Sequence, residues 1–279
     1  LGFRMTAGGV AQINDVPMMS IRGISKSFGG IRAVNNASFE IDKGTITALI
    51  GPNGAGKTTL FNIVAGFLRP DAGQVILNGQ DVTGLPPHRL FARGLMRTFQ
   101  IPAAFERMTL LDNLMVVPAG QSGENVLRSW FLWGRVTSEE IHVRQKAKEV
   151  LDFLGLTHVA GEYAGNLSGG QKKLLELGRT MMSDPDIVLL DEPGAGVNPT
   201  LMVKLADDIR RLNEERGYTF CIIDHDMDLV AKLCHPIVVM AEGAVLAQGS
   251  MEDIRKNQEV LDAYLGGGRS ARIPAESAT

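Results

Sequence analysis

The run Gly51-Pro52-Asn53-Gly54-Ala55-Gly56-Lys57-Thr58 carries glycines, a lysine and a hydroxyl at the spacing of a phosphate-binding loop. Glycines let backbone N–H groups turn inward around phosphate oxygens, and a helix starting behind them adds the positive end of its dipole. Lys57 reaches the outer phosphates, the Thr58 hydroxyl can ligate Mg²⁺, and Thr59 completes the binding set. Nucleotide binding follows. A chance glycine turn is the plainer reading, but the apolar strand Ile46–Ile50 before the loop and the helical stretch after it argue against that. Farther on, Ile187-Val188-Leu189-Leu190-Asp191-Glu192 is an apolar run ending in two carboxylates. By itself it is a buried strand emerging into an acidic turn. Behind a phosphate loop, Asp191 can hold Mg²⁺ through its water shell while Glu192 orients or deprotonates the attacking water.

Leu167-Ser168-Gly169-Gly170-Gln171 opens another expected helix and so offers a second backbone anion site. The plainer reading is a helix N-cap at Ser168 with turn glycines. One nucleotide needs one such cradle, so a second implies a head-to-tail nucleotide sandwich between two chains. Cys221, His225, Cys234 and His235 run along a strand and the following helix without zinc-type pairs, which argues against a metal site there.

These groups need an α/β frame to position them. Strands are expected around Ser20–Ile24, Ala37–Ile41, Thr45–Ile50, Gln74–Leu77, Ile187–Leu190 and Thr219–Ile223. Helices are expected from Lys57 to about Ala65, from about Gly170 to Met182, over Leu201–Arg216 and over Met227–Leu233. This alternation favours a parallel sheet. From about Pro102 to Gly165 the character turns helical: Val143, Ala147, Val150, Leu151 and Leu154 keep the 3.6-residue period. That stretch reads as a helical subdomain, about 102–165, inserted into the core. Residues 1–18 and 266–279 read as a flexible N-terminal extension and a flexible tail.

Composition narrows the function classes. The chain has 279 residues, 44% apolar and 21% charged, which excludes disorder, collagen and coiled coil as global descriptions. Lys and Arg number 28 against 31 Asp and Glu, without a sustained basic run, so nucleic acid is not expected as a partner. The longest apolar runs fall far short of the roughly 20 residues that cross a bilayer. Two cysteines make no disulfide framework, which fits a reducing compartment.

Taken together, Ser20 to Leu265 closely resembles the ATP-binding cassette (ABC) ATPases. The resemblance implies a P-loop core with an N-terminal antiparallel β subdomain and an inserted α-helical subdomain. It implies that Phe28 stacks on adenine, although a core Phe is the plainer reading of that residue. It implies that Gln100, in Arg97-Thr98-Phe99-Gln100, meets Mg²⁺ and the attacking water, and that His225 contacts the γ-phosphate and supports Glu192. Glu192, His225 and Gln100 are then the catalytic set, and Thr58, Gln100 and Asp191 the metal set. Where the family commonly has a Leu-Asp pair after Glu-Pro, this chain has Gly196-Val197-Asn198-Pro199, which keeps the size of the side chain and loses its charge. That segment, Arg97–Gln100, Asp224–Met227 and Val260–Gly266 are similar to those of the branched-chain amino acid importers.

The resemblance implies ATP and Mg²⁺ as ligands, and as partners a second ABC ATPase subunit, identical or not, transmembrane permease subunits and a periplasmic substrate-binding protein. The place implied is the cytoplasmic side of the inner membrane. Urea import and lipopolysaccharide export remain alternatives within transport. A non-transport cassette acting in DNA repair or on ribosomes is a further one, although the long coiled-coil insertion usual there is missing. Trp130 and Trp133 either pack the helical subdomain or form a partner- or membrane-facing patch. Pro102, Phe105 and Met108 fall on the side where the family docks its membrane subunits.

Overall fold

The computed structural model describes residues 16–98, 104–118 and 133–265. Two sheets carry it. Strands β1 (Met19–Phe28), β2 (Ile31–Ile41), β4 (Ala72–Leu77) and β5 (Gln80–Asp81) form an antiparallel sheet in the order β2-β1-β4-β5. The six-stranded sheet runs β10-β9-β3-β8-β7-β6, from β3 (Ile46–Ile50), β6 (Leu95–Arg97), β7 (Ile187–Asp191), β8 (Thr219–Ile223), β9 (Ile237–Ala241) and β10 (Ala244–Gly249). Its pairings are parallel except for the terminal hairpin β9–β10.

Because strand side chains alternate, the central sheet serves two cores at once. Leu49, Ile187, Leu189, Cys221, Ile223, Val238 and Met240 face the antiparallel sheet and helix α1 (Lys57–Val64). Ala48, Ile50, Val188, Leu190, Phe220, Ile222 and Val239 face the helices instead. Near-continuous apolar runs are what a sheet covered on both faces demands.

The helical side comprises α3 (Leu110–Met115), α4 (Trp133–Phe153), α5 (Gly169–Met182), α6 (Pro199–Arg216) and α7 (Met227–Leu233), after the short α2 (Pro87–Phe91). Ala147, Val150, Leu151 and Leu154 of the 3.6-residue pattern are buried against Leu110, Leu114, Leu174 and Leu177. The inserted helices thus share one core with the sheet, α5 lying between. The chain ends in α8 (Met251–Lys256) and α9 (Gln258–Leu265).

The expected strands lengthen in the structure, since polar residues such as Arg22 and Asn36 sit on the exposed side of β1 and β2 and hide their extent. Strand β6 has no counterpart among the expected elements, because three residues cannot show an alternation. Met18, inside the expected extension 1–18, is buried, and its carbonyl accepts from the Asn78 N–H. The tail 266–279 lies outside the described residues.

Candidate nucleotide site

The phosphate loop leaves the fully buried β3 at Ile50 and enters α1 at Lys57. Two of its glycines are irreplaceable on geometry. At Gly51 a Cβ would lie 2.1 Å from the Met240 carbonyl oxygen, and at Gly56, which has φ 94°, it would lie 2.3 Å from that of Ala33. The loop is therefore wedged between β9 and the start of β2. The turn after β9 clamps it further: Gly243 N–H donates to Ala55 O at 3.2 Å, and Asn35 N–H donates to Gly243 O at 2.8 Å. Helix α1 has no side-chain cap and no acidic residue in its first turn, which leaves its N-terminal N–H groups for an anion. Lys57 Nζ donates to the carbonyls of Gly51 and Pro52 at 2.7 and 3.0 Å, so it lies across the loop. Burial pulls its ammonium below the usual lysine range, opposed by the charges of Glu192 and Asp191. Both carboxylates thus sit in its field.

Register sets those carboxylates beside the end of β8, where Asp191 pairs with Ile223. Asp191 is buried, and its Oδ2 accepts from Arg97 Nη2 at 2.8 Å. Glu192 follows in the left-handed region, φ 48°, its N–H bonded to Ile223 O at 2.8 Å. Such a conformation is costly for a residue with a Cβ, and strain of this kind gathers at functional positions. His225 Nδ1 stands 4.0 Å from Glu192 Oε1, and its ring is 77% exposed. Asp224, read in the sequence only as part of the Asp224–Met227 segment and given no site role there, shapes that turn: its Oδ1 accepts from the N–H groups of His225 and Asp226 at 2.7 and 2.9 Å. The Asp-x-Asp pattern of an Asx turn was its available signal.

The donors fit a hydrated divalent cation. Thr58 offers a hydroxyl and Asp191 a carboxylate, both hard oxygens, and no cluster of three or more His, Cys, Asp or Glu suited to a metal occurs among the described residues. A cation held by two protein oxygens, phosphate oxygens and water matches Mg²⁺ and does not match a dedicated protein cage. Cys221 and Cys234 are free and buried, and burial pushes both thiols up, that of Cys234 to about 12.

Ser168 caps α5 in a capping box with Gln171, accepting from its N–H at 3.3 Å while Gln171 Oε1 accepts from the Ser168 N–H at 3.0 Å. The N-cap reading thus holds, and the same residues still present an exposed helix N-terminus at Ser168 and Gly169. Gly170 is different, being buried against Leu201 of α6. Asn198 caps α6, its Oδ1 accepting from Leu201 N–H at 2.9 Å. Phe28 is 48% exposed and is no core residue; Lys26 Nζ lies 5.8 Å from its ring centre. Gln100, Phe99, Pro102 and Trp130 lie outside the described residues, and of Trp133 only its place at the start of α4 is described. Two further residues, given no site role from the sequence, reach the site. Arg97 joins Asp191, and Tyr264 of α9 lies near Gly51, burial raising its phenol pKa and the Gly51 backbone opposing.

Fold and loop together define a P-loop nucleotide-hydrolase cassette. The family model "ABC transporter" matches residues 34–195, and the model "Branched-chain amino acid ATP-binding cassette transporter" matches residues 244–270. The chain belongs to the ABC transporter ATPases, which bind and hydrolyse ATP, in the branched-chain amino acid branch. A probable branched-chain amino acid transport ATP-binding protein of Archaeoglobus fulgidus is 44% identical over 249 residues, 89% of this chain and 95% of the relative. High-affinity branched-chain amino acid transport ATP-binding proteins of Pseudomonas aeruginosa and Escherichia coli K12 are 39% and 38% identical, each over 90% of this chain and 98% of the relative. The solved ADP conformation of an ATP-binding cassette of an ABC transporter superposes with a TM-score of 0.76 at 36% identity, covering 90% of this chain and 99% of that one.

Proposed function

We propose that this ATPase powers import of branched-chain or other hydrophobic amino acids, working as a dimer beneath separate permease subunits on the cytoplasmic side of the membrane. The observation that carries the catalytic part is the convergence of Lys57, Asp191, Glu192 and His225 at the ends of three adjacent strands. Phosphates sit on the N–H groups between Gly51 and Thr59, with Lys57 drawn from the loop carbonyls onto the outer oxygens. Thr58 and Asp191, joined by Gln100, would hold Mg²⁺, which when bound neutralises charge on the transferring phosphoryl group. Glu192 takes the proton of the attacking water, and His225 keeps its carboxylate in place and contacts the γ-phosphate. Phe28, being exposed, is free to stack on adenine. The N-terminus of α5, at Ser168–Gln171 and exposed at Ser168 and Gly169, serves the nucleotide of the second subunit, which makes the dimer obligatory for turnover.

No helix among the described residues is long and apolar enough to cross a membrane, so the spanning part is assigned to other chains. A groove of about 340 Å³ lined by Phe91, Met96, Phe105, Val116, Val117 and Arg179 offers the permeases an apolar seat. A periplasmic binding protein would deliver the cargo. The test is Glu192→Gln: ATP affinity stays within about twofold and turnover falls at least a hundredfold, as for removal of one catalytic group. Near-normal turnover would remove Glu192 from its role.

A further inference from the structure

We propose that Arg97 is a positioning residue for Asp191, locking the metal-holding carboxylate to the phosphate-loop helix. Arg97 ends β6, and its side chain is 10% exposed. One arm of its guanidinium, Nη1, donates to Asn62 Oδ1 on α1 at 2.5 Å; the other, Nη2, donates to Asp191 Oδ2 at 2.8 Å. The rings of Phe61 and Phe67 flank it at 5.9 and 5.6 Å. One side chain therefore fastens three elements that must agree around a nucleotide: α1, the end of β7 and the end of β6. Thr98 N–H, bonded to Leu189 O at 3.0 Å, holds β6 to β7 at the same point.

Neutralising Asp191 would need only the Asp191 arm. The Asn62 arm adds no charge and fixes an angle, which the planar fork of Arg can do and the point charge of Lys cannot. Nε is buried with no partner, so the guanidinium keeps this pose although one donor goes unpaired. With Oδ2 engaged, Oδ1 is the oxygen left for the water shell of the cation. Arg97 also lines the 340 Å³ groove, so a displacement of β6 there reaches Asp191 through one side chain.

The inference rests on Asp191 being a metal-holding residue, which Asp191→Asn tests alone by weakening cation binding. The decisive measurement is Mn²⁺ binding to the full-length chain by electron paramagnetic resonance, with adenylyl imidodiphosphate as nucleotide. Arg97→Lys keeps the charge and loses the fork, and should raise the Mn²⁺ dissociation constant about tenfold, as loss of an outer-sphere partner does. Asn62→Ala should raise it by about threefold or more. Affinity for the nucleotide without metal should stay within about twofold in both, because the phosphate cradle is untouched. Wild-type Mn²⁺ binding by Arg97→Lys would overturn the proposal, leaving a simple counter-charge. So would an equal loss of metal-free nucleotide binding, which marks a general structural role. If Arg97→Lys does not fold, Asn62→Ala decides by the same criteria.

Discussion

At the scale of single residues, the site depends on backbone positions that admit no Cβ and on carboxylates placed by register. Gly51→Ala puts a methyl group 2.1 Å from the Met240 carbonyl oxygen, and neither backbone can give way without moving β9 or the loop. The expected result is loss of at least about 2 kcal/mol of stability, the scale of a strained backbone, together with loss of ATP binding in a fluorescent-nucleotide titration. Gly54→Ala is the control, since nothing lies within 4 Å of its Cβ and only its φ of 80° opposes substitution. His225→Ala should act in another way. Its ring is exposed and holds no core, so melting temperature stays unchanged while turnover falls about tenfold or more. Lys57, Asp191 and Glu192 were legible as candidates because loop and strand end have a fixed spacing, whereas His225 was legible only through the family resemblance. Arg97 and Asp224 were not legible as site residues, since their roles come from strand register and a turn that bring distant segments together.

At the scale of elements, α6 ties the helical side of the molecule to the segment after β7 that precedes it. Along one face, Leu201 packs on Gly170, Lys204 Nζ donates to the Leu154 carbonyl, and Arg211 stacks 4.0 Å from the Phe153 ring. Asp208 lies on the same stripe, 3% exposed, with Arg211 Nη1 at 3.7 Å and one oxygen unpartnered. Burial pushes its carboxyl up to about 6, Lys204 and Arg211 opposing. The native state thus binds this proton more tightly than the unfolded chain, whose value is about 3.9. Stability from this group is fully present below that value and is lost as pH rises toward about 6. Asp208→Asn, which cannot ionise, should therefore be the more stable form at pH 8, by on the order of 3 kcal/mol, and lose that advantage near pH 4. Urea melts at both pH values check it; destabilisation at pH 8 would mean that the Arg211 and Lys204 contacts outweigh burial. Helix α6 itself was legible because its length and periodicity are strong. Its grip on Phe153 and Leu154 was not, since a charged stripe on a helix looks like a solvated face until the partner helix is in place.

At the scale of the whole molecule, the position of the groove matters more than its volume. It lies between α2, the edge strand β6, the end of α3 and α5, so it borders both the central sheet and the inserted helices. Phe105 is 48% exposed and Val116 is 44% exposed at its rim, and Arg179 lies 5.3 Å from the Phe105 ring. Exposed apolar side chains around a concave surface mark a protein contact, and the permease subunits are the partner proposed for it. Phe105→Glu and Val116→Glu put charges on this seat without touching the phosphate loop, Asp191 or Glu192. In the reconstituted transporter, amino-acid uptake should fall at least tenfold, the loss expected when a buried interface anchor becomes charged. The variant chains should still bind ATP within about twofold of wild type, since the cradle at Gly51–Thr59 is intact. Parallel loss of nucleotide binding and uptake would return Phe105 to a structural role in the fold around Asn113, whose amide already bonds the Phe105 carbonyl at 3.0 Å. Loss of uptake alone places the transmission of work at the junction where β6 and the inserted helices meet.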